Sequence, residues 1–106
     1  MNSPYRRYEI LLPSRFNNGQ SVPDRLLVDA IVDLRNQFGA VSVEPQTIQG
    51  QWQYQGETYR DELIRVFVDV DDTLANRQFF TEFKEELKLR FNQLDVWITS
   101  HPVDVI

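Results

Sequence analysis

Three observations predict an α+β domain in the order β-α-β-β-α-β. Four stretches alternate apolar and polar residues, two others repeat apolar residues at helical spacing, and a Gln55-Gly56 pair joins the two longest alternating stretches. The chain has 106 residues, which suits one domain, so 1–106 reads as a single unit. Hydrophobic residues make up 42% and aromatic residues 12%, enough to build a core and exclude a disordered chain.

The first strand runs from Tyr5 to Leu12, with Tyr8, Ile10 and Leu12 on one side and Arg7, Glu9 and Leu11 on the other. Pro13 ends it, and Phe16-Asn17-Asn18-Gly19 reads as a loop. Ser21 is the expected cap of the first helix, with Pro23 tolerated in its first turn and Asp24 favoured there by the helix dipole. Leu27, Ile31, Leu34 and Phe38 form its apolar stripe, and Gly39 is its stop. The second strand begins at Val41 and Val43. Pro45 predicts an edge position or a bulge. Beyond it Ile48, Gly50, Trp52 and Tyr54 share one face, and a run of glutamines takes the other. Glycine at 56 permits the positive φ of a hairpin turn. The return strand carries Tyr59 and then Ile64, Val66, Val68 and Val70 toward the core, with Arg65, Phe67 and Asp69 outward. Asp72 or Thr73 caps the second helix, whose buried stripe is Phe80, Phe83, Leu87 and Phe91. The last strand is expected from Leu94 to Thr99, with Leu94, Val96 and Ile98 inward, Trp97 outward and Pro102 as its breaker.

This order is that of the ferredoxin-like fold: one four-stranded antiparallel sheet with both helices on one face. Right-handed crossovers give the sheet order 4-1-3-2. The open face then carries Trp97 beside Leu11 beside Phe67, with Arg7, Glu9 and Arg65 around them. An apolar centre with a charged rim is the anatomy of a protein interface. The expectation is a homodimer built on Leu11, Phe67 and Trp97, sealed by the apolar residues Val103, Val105 and Ile106. A tail folded back over its own sheet is the competing account.

Two further places hold chemistry-bearing residues. Asp69, Asp71, Asp72 and His101, the single histidine, fall at one edge beside a helix start, a donor set suited to Mg²⁺ or Mn²⁺. Helix starts also attract aspartate for electrostatic reasons alone, and His101 then is a solvated residue before proline. Trp52, Tyr54, Tyr59 and Arg60 flank the glutamine-rich hairpin, where stacking rings and amides suit a sugar or peptide; core packing of the same rings is the plainer account. Arg60, Asp61 and Glu62 read as cross-strand surface charges.

Composition narrows the partners. Acidic residues number 16 against 11 basic, a net charge of −5, which disfavours general nucleic-acid and anionic-membrane binding and suits a basic protein partner. There is no cysteine, hence no disulfide, thiolate zinc site or cysteine nucleophile. No apolar run approaches the roughly 20 residues of a membrane span. The polar start, Met1-Asn2-Ser3, shows no signal peptide, and a cytoplasmic location is expected.

Phe67-Val68-Asp69-Val70-Asp71-Asp72-Thr73-Leu74 resembles the first motif of haloacid-dehalogenase-like phosphatases. That resemblance implies Asp69 as nucleophile and Asp71 as general acid, with Trp97-Ile98-Thr99-Ser100 similar to the second motif. The family also requires a later lysine, a later acidic pair and a parallel sheet, for which the residues after Thr73 leave no room. More broadly, Gly50-Gln51-Trp52, Gly56, Tyr59-Arg60-Asp61-Glu62 and Phe91-Asn92-Gln93 resemble a group of small bacterial proteins of unknown function. Asp61 is an insertion relative to the adjacent Arg-Glu of that group. The resemblance implies a ferredoxin-like fold and no activity.

The sequence thus predicts a homodimeric protein-binding or regulatory module without catalysis and without a cofactor. The alternative is a small enzyme resembling the dimeric α+β barrel monooxygenases and isomerases, with His101 and Arg7 or Arg65 as its polar groups, or a divalent-metal site at the acidic edge.

Overall fold

A computed structural model describes residues 4–106, apart from the side chain of Pro45. The polar start at Met1-Asn2-Ser3 lies outside the described residues. The elements are β1 (Tyr5–Pro13), α1 (Asp24–Phe38), β2 (Ser42–Tyr54), β3 (Glu57–Asp71), α2 (Leu74–Arg90) and β4 (Trp97–Val103). The strands form one sheet in the order β2-β3-β1-β4, and every neighbouring pair is antiparallel.

Alternation along β1 and β3 sends Tyr8, Ile10, Leu12, Val66, Val68 and Val70 to one face, where they are buried with Ala30 and Leu34 of α1 and Phe80, Phe83 and Leu87 of α2. Both helices therefore cover the same face. Stacked rings tie the sheet to both helices: Tyr8 of β1 lies 4.0 Å from Phe80 of α2, and Phe80 lies 5.4 Å from Phe38 of α1. The predicted α1 stripe is shifted. Ala30 and Leu34 are its fully buried residues, while Leu27, Ile31 and Phe38 pack at the margin of the core.

Four local expectations need correction or choice. Ser21 does not cap α1; it pairs with Arg15 in an isolated bridge, and Pro23 precedes the helix with no side-chain acceptor for its free amides. At α2, Thr73 is the cap, its hydroxyl oxygen accepting the Asn76 amide at 3.1 Å, which leaves Asp72 free to pair with Arg6. β4 starts later than expected, so Leu94 is exposed rather than inward. It also runs through Pro102, which pairs with Arg6. β4 has a neighbour on one side only, and an edge strand has spare amide positions where a proline's missing N–H costs no ladder bond.

β2 is the other edge, and its ladder shifts between Glu44 and Ile48, the interval that holds Pro45. The β2–β3 hairpin closes through Gln55 and Gly56, with φ of 51° and 80°, the left-handed pair of a type I′ turn. β1 stops at Pro13 opposite Leu63, but β2 and β3 stay paired out to Tyr54 and Glu57. The hairpin therefore leaves the body as a two-stranded arm, and the molecule measures 44 × 29 × 25 Å.

Candidate functional site

The face of the sheet opposite the helices is the site. Its rows follow from strand register. Trp97 of β4 stands beside Leu11 of β1, Leu11 beside Arg65 of β3, and Arg65 beside Glu44 of β2. Phe67 is one row away, opposite Glu9, so the expected side-by-side trio of Trp97, Leu11 and Phe67 is corrected. The offset arises because Leu11 pairs two residues short of Phe67. Arg65 occupies the intervening place, with Nη1 donating to Glu44 at 3.1 Å and Nε 3.9 Å from the Glu9 carboxylate. The guanidinium of Arg7 lies 4.4 Å from the centre of the Phe67 ring and covers it. Trp97, by contrast, is 62% exposed.

The arm extends this face. Ile48, Gly50, Trp52 and Tyr54 pair with Leu63, Asp61, Tyr59 and Glu57, so all lie on the face that carries Leu11 and Trp97. Tyr59 is therefore outward, against the expectation that it faces the core. The Trp52 and Tyr59 rings stack at 4.5 Å, and Trp52 Nε1 donates to Asp61 at 2.7 Å. Asp61 is accordingly a positioning partner for the indole, not a loose surface charge. Tyr59 donates its hydroxyl to Glu57 at 3.3 Å. Its partial desolvation, then the negative charge of Glu57 and that hydrogen bond, raise the phenol's pKa. Arg60 stands opposite Gln51 on the reverse face of the arm, so the structure separates it from the aromatic group.

Where β1 runs out, a notch opens between the arm and the turn that leads into β4. It is a cleft of about 380 Å³. Leu11, Pro13 and Leu63 floor it, Trp52 and Asp61 come from the arm, and Gln93, Asp95 and Trp97 come from the far side. Gly50 also borders it, and a Cβ there would sit 3.2 Å from the Leu63 side chain. Sequence reasoning picked out both tryptophans but assigned them to separate places. The missed floor residues had a signal: Leu63 shares the odd-numbered parity of Phe67 along β3.

The acidic edge is dispersed by ion pairing. Asp69 accepts two hydrogen bonds from Arg7, at 2.8 and 3.0 Å. Those bonds first, then the charges of Arg7 and His101, lower the pKa of Asp69 against a countering desolvation, and the same bonds raise that of Arg7. His101 stands across Arg7 from Asp69, so the arginine separates the imidazole from the carboxylate. Asp72 pairs with Arg6 at 3.1 Å, and Asp71 stands opposite Tyr5. Among the described residues no group of three or more His, Asp or Glu is placed to hold a metal ion. The same pairing engages the aspartate that the phosphatase-like motif would need as nucleophile, and the sheet is antiparallel where that family requires a parallel one. Of the last residues, Val103 ends β4 opposite Tyr5, half-buried, while Val105 and Ile106 are exposed.

These features define an α+β protein of ferredoxin-like fold with an uncovered aromatic sheet face. No family model matches the chain, and no curated protein does. Solved structures do. A phage SAM lyase in complex with S-methyl-5'-thioadenosine is 13% identical with a TM-score of 0.70, over 96% of this chain and 84% of that one. The divalent cation tolerance protein Cut A1 from Thermus thermophilus is 15% identical with a TM-score of 0.64, over 96% and 86%. CutA1 from Oryza sativa is 12% identical with a TM-score of 0.60, over 99% and 84%. At these identities the likeness is one of fold. No described helix is long and apolar enough to cross a membrane.

Proposed function

We propose that this chain is a self-associating protein-binding or regulatory module, and that two copies meet through the outer sheet face and its arm. The observation that carries the reading is the continuity of that face: Trp97, Leu11, Leu63, Ile48, Trp52 and Tyr54 lie on one side of sheet and arm, the side away from both helices. The arm's other side carries Gln49, Gln51, Gln53, Thr58 and Arg60, so the ribbon is amphipathic although it stands off the body. Strand spacing and rise give the sheet face plus arm a planar area of roughly 700 Å². A stable interface covers about 800 Å² on each partner, so one copy supplies nearly a full contact surface. A twofold axis through the sheet lets each patch cover its twin. Val105 and Ile106, exposed beyond the end of β4, extend the apolar surface at the sheet's opposite end.

Light scattering over a micromolar concentration series tests the reading. The expected particle has twice the 12.5 kDa chain mass, and Trp97→Arg returns it to 12.5 kDa. A wild-type particle of 12.5 kDa throughout overturns the proposal. A larger assembly that Trp97→Arg dissolves replaces the pair by a ring on the same face.

A further inference from the structure

We propose that the notch between Trp52 and Trp97 is a binding site for a planar, uncharged or cationic heteroaromatic ring bearing an amino group, of which a purine nucleoside is the accessible example. One copy of the chain builds the site, so the inference goes beyond self-association and does not rest on it; because both use the outer face, ligand and twin compete for Trp52 and Trp97.

The two indoles stand on the two edge strands, β2 and β4, with β3 and β1 between them. Three strand spacings across the sheet and six ladder steps along β3, from Arg65 in the row of Trp97 to Tyr59 opposite Trp52, put their backbones roughly 24 Å apart. The indoles therefore stand at opposite ends of the notch, each offering a ring face, and a volume of about 380 Å³ lies within the size range of small-molecule sites. The floor of Leu11, Pro13 and Leu63 is apolar, which suits a ring face. Polarity is confined to the rim.

The rim sets the charge of the ligand. Asp61 and Asp95 border the notch, and among the described residues no Lys or Arg does. Asp95 is committed to Lys84 at 3.0 Å and to the Val96 amide at 2.9 Å. Asp61 accepts from Trp52 through Oδ2, and a carboxylate has about four lone-pair sites, so it retains capacity for an amino donor. An anionic group at this rim meets the Asp61 carboxylate in a chain of net charge −5, the charge of Asp95 being balanced by Lys84. Trp52 is also held rigid, with Tyr59 stacked on it and Asp61 fixing its Nε1, so little ordering is left for the ligand to impose.

Gly50 provides a test that removes no side chain. It pairs with Asp61 at the wall of the notch, and its φ lies outside the left-handed region. A Cβ there meets only the end of the flexible Leu63 side chain, at 3.2 Å. Gly50→Val therefore intrudes into the notch beside Leu63 while suiting the strand.

The experiment is calorimetric titration of the full chain with adenosine and, separately, with adenosine 5'-monophosphate, alongside light scattering of the same samples. Saturable adenosine binding is expected, with the monophosphate weaker. Gly50→Val is expected to abolish adenosine binding. Asp61→Asn keeps an acceptor for Trp52 but removes the charge, and should weaken adenosine about fivefold while narrowing its preference over the monophosphate. Absence of saturable adenosine binding by the wild type overturns the proposal, whatever the particle mass. Wild-type affinity in both Gly50→Val and Asp61→Asn also overturns it, as does monophosphate binding equal to or tighter than adenosine. A 12.5 kDa particle that still binds adenosine sinks the self-association reading and leaves this one standing.

Discussion

Single residues show where this fold departs from an optimum. The Tyr8 hydroxyl is buried and has no hydrogen-bond partner among the described residues, although its ring is central to the core. A buried unpaired hydroxyl costs roughly 1–3 kcal/mol, so deleting it should not hurt. Tyr8→Phe is expected to melt at or above the wild-type temperature in thermal denaturation; a loss of several degrees would mean the hydroxyl is satisfied, for instance by buried water. Asp69 behaves in the opposite way. Its pKa is depressed in the fold by the Arg7 hydrogen bonds, so it favours folding at pH values above its unfolded value of about 4. That contribution fades as pH falls through the lower folded value. Asp69→Asn should flatten the acid limb of a stability-versus-pH curve measured by urea denaturation, with little change in its slope above about pH 6. An unchanged acid limb would show that the pair contributes nothing. The partner of Asp69 was not legible in the sequence, because the pairing Arg7↔Asp69 depends on the register of strands 62 positions apart.

Elements were far more legible, and α2 shows why. Phe80, Phe83 and Leu87 recur at helical spacing, and all three are buried. Phe83→Ala should cost about 3–5 kcal/mol in a denaturant titration, a large share of the stability of a domain this size. Thr73→Ala should cost about 1 kcal/mol by loss of the cap to the Asn76 amide. Equal losses from the two would contradict the assigned roles. Periodicity placed these residues because helix geometry is local. It failed at Leu94, since a strand's start depends on which neighbour it pairs with, and β4 finds its first partner at Leu11↔Trp97. It failed likewise at Pro102, where edge position outweighs the residue's reputation as a breaker.

At the scale of the whole molecule, the outer face was partly readable. Alternation alone put Leu11, Phe67 and Trp97 on it, but only register could show that Arg65 stands beside Leu11 and that Arg7 lies over Phe67. The notch was not readable at all, because it exists where β1 ends four ladder steps before Tyr59↔Trp52, a relation between strands and not within one. An apolar contact of this kind has a distinct salt response. Dissociation measured between about 50 mM and 1 M sodium chloride should stay constant or tighten, since screening acts on charges and leaves apolar burial intact. Marked weakening with salt would move the contact to the charged rows around Arg7 and Arg65.

The irregularity in β2 has an arithmetic consequence. Residues 45–47 span the ladder interval that Ile64 alone spans on β3, so β2 carries two surplus residues there. Two is an even number, and side chains alternate with a period of two, so the arm keeps the facing it would have in an unbroken strand. Removing both would straighten the strand and leave the tryptophan side where it is. Removing one would leave a single surplus residue, which a bulge absorbs: β3 is unbroken and the Gln55-Gly56 turn holds Tyr54 opposite Glu57, so Trp52 and Tyr54 keep their side. The arm is thus locked from its tip, and the irregularity behind it can shed a residue without wetting the adhesive side.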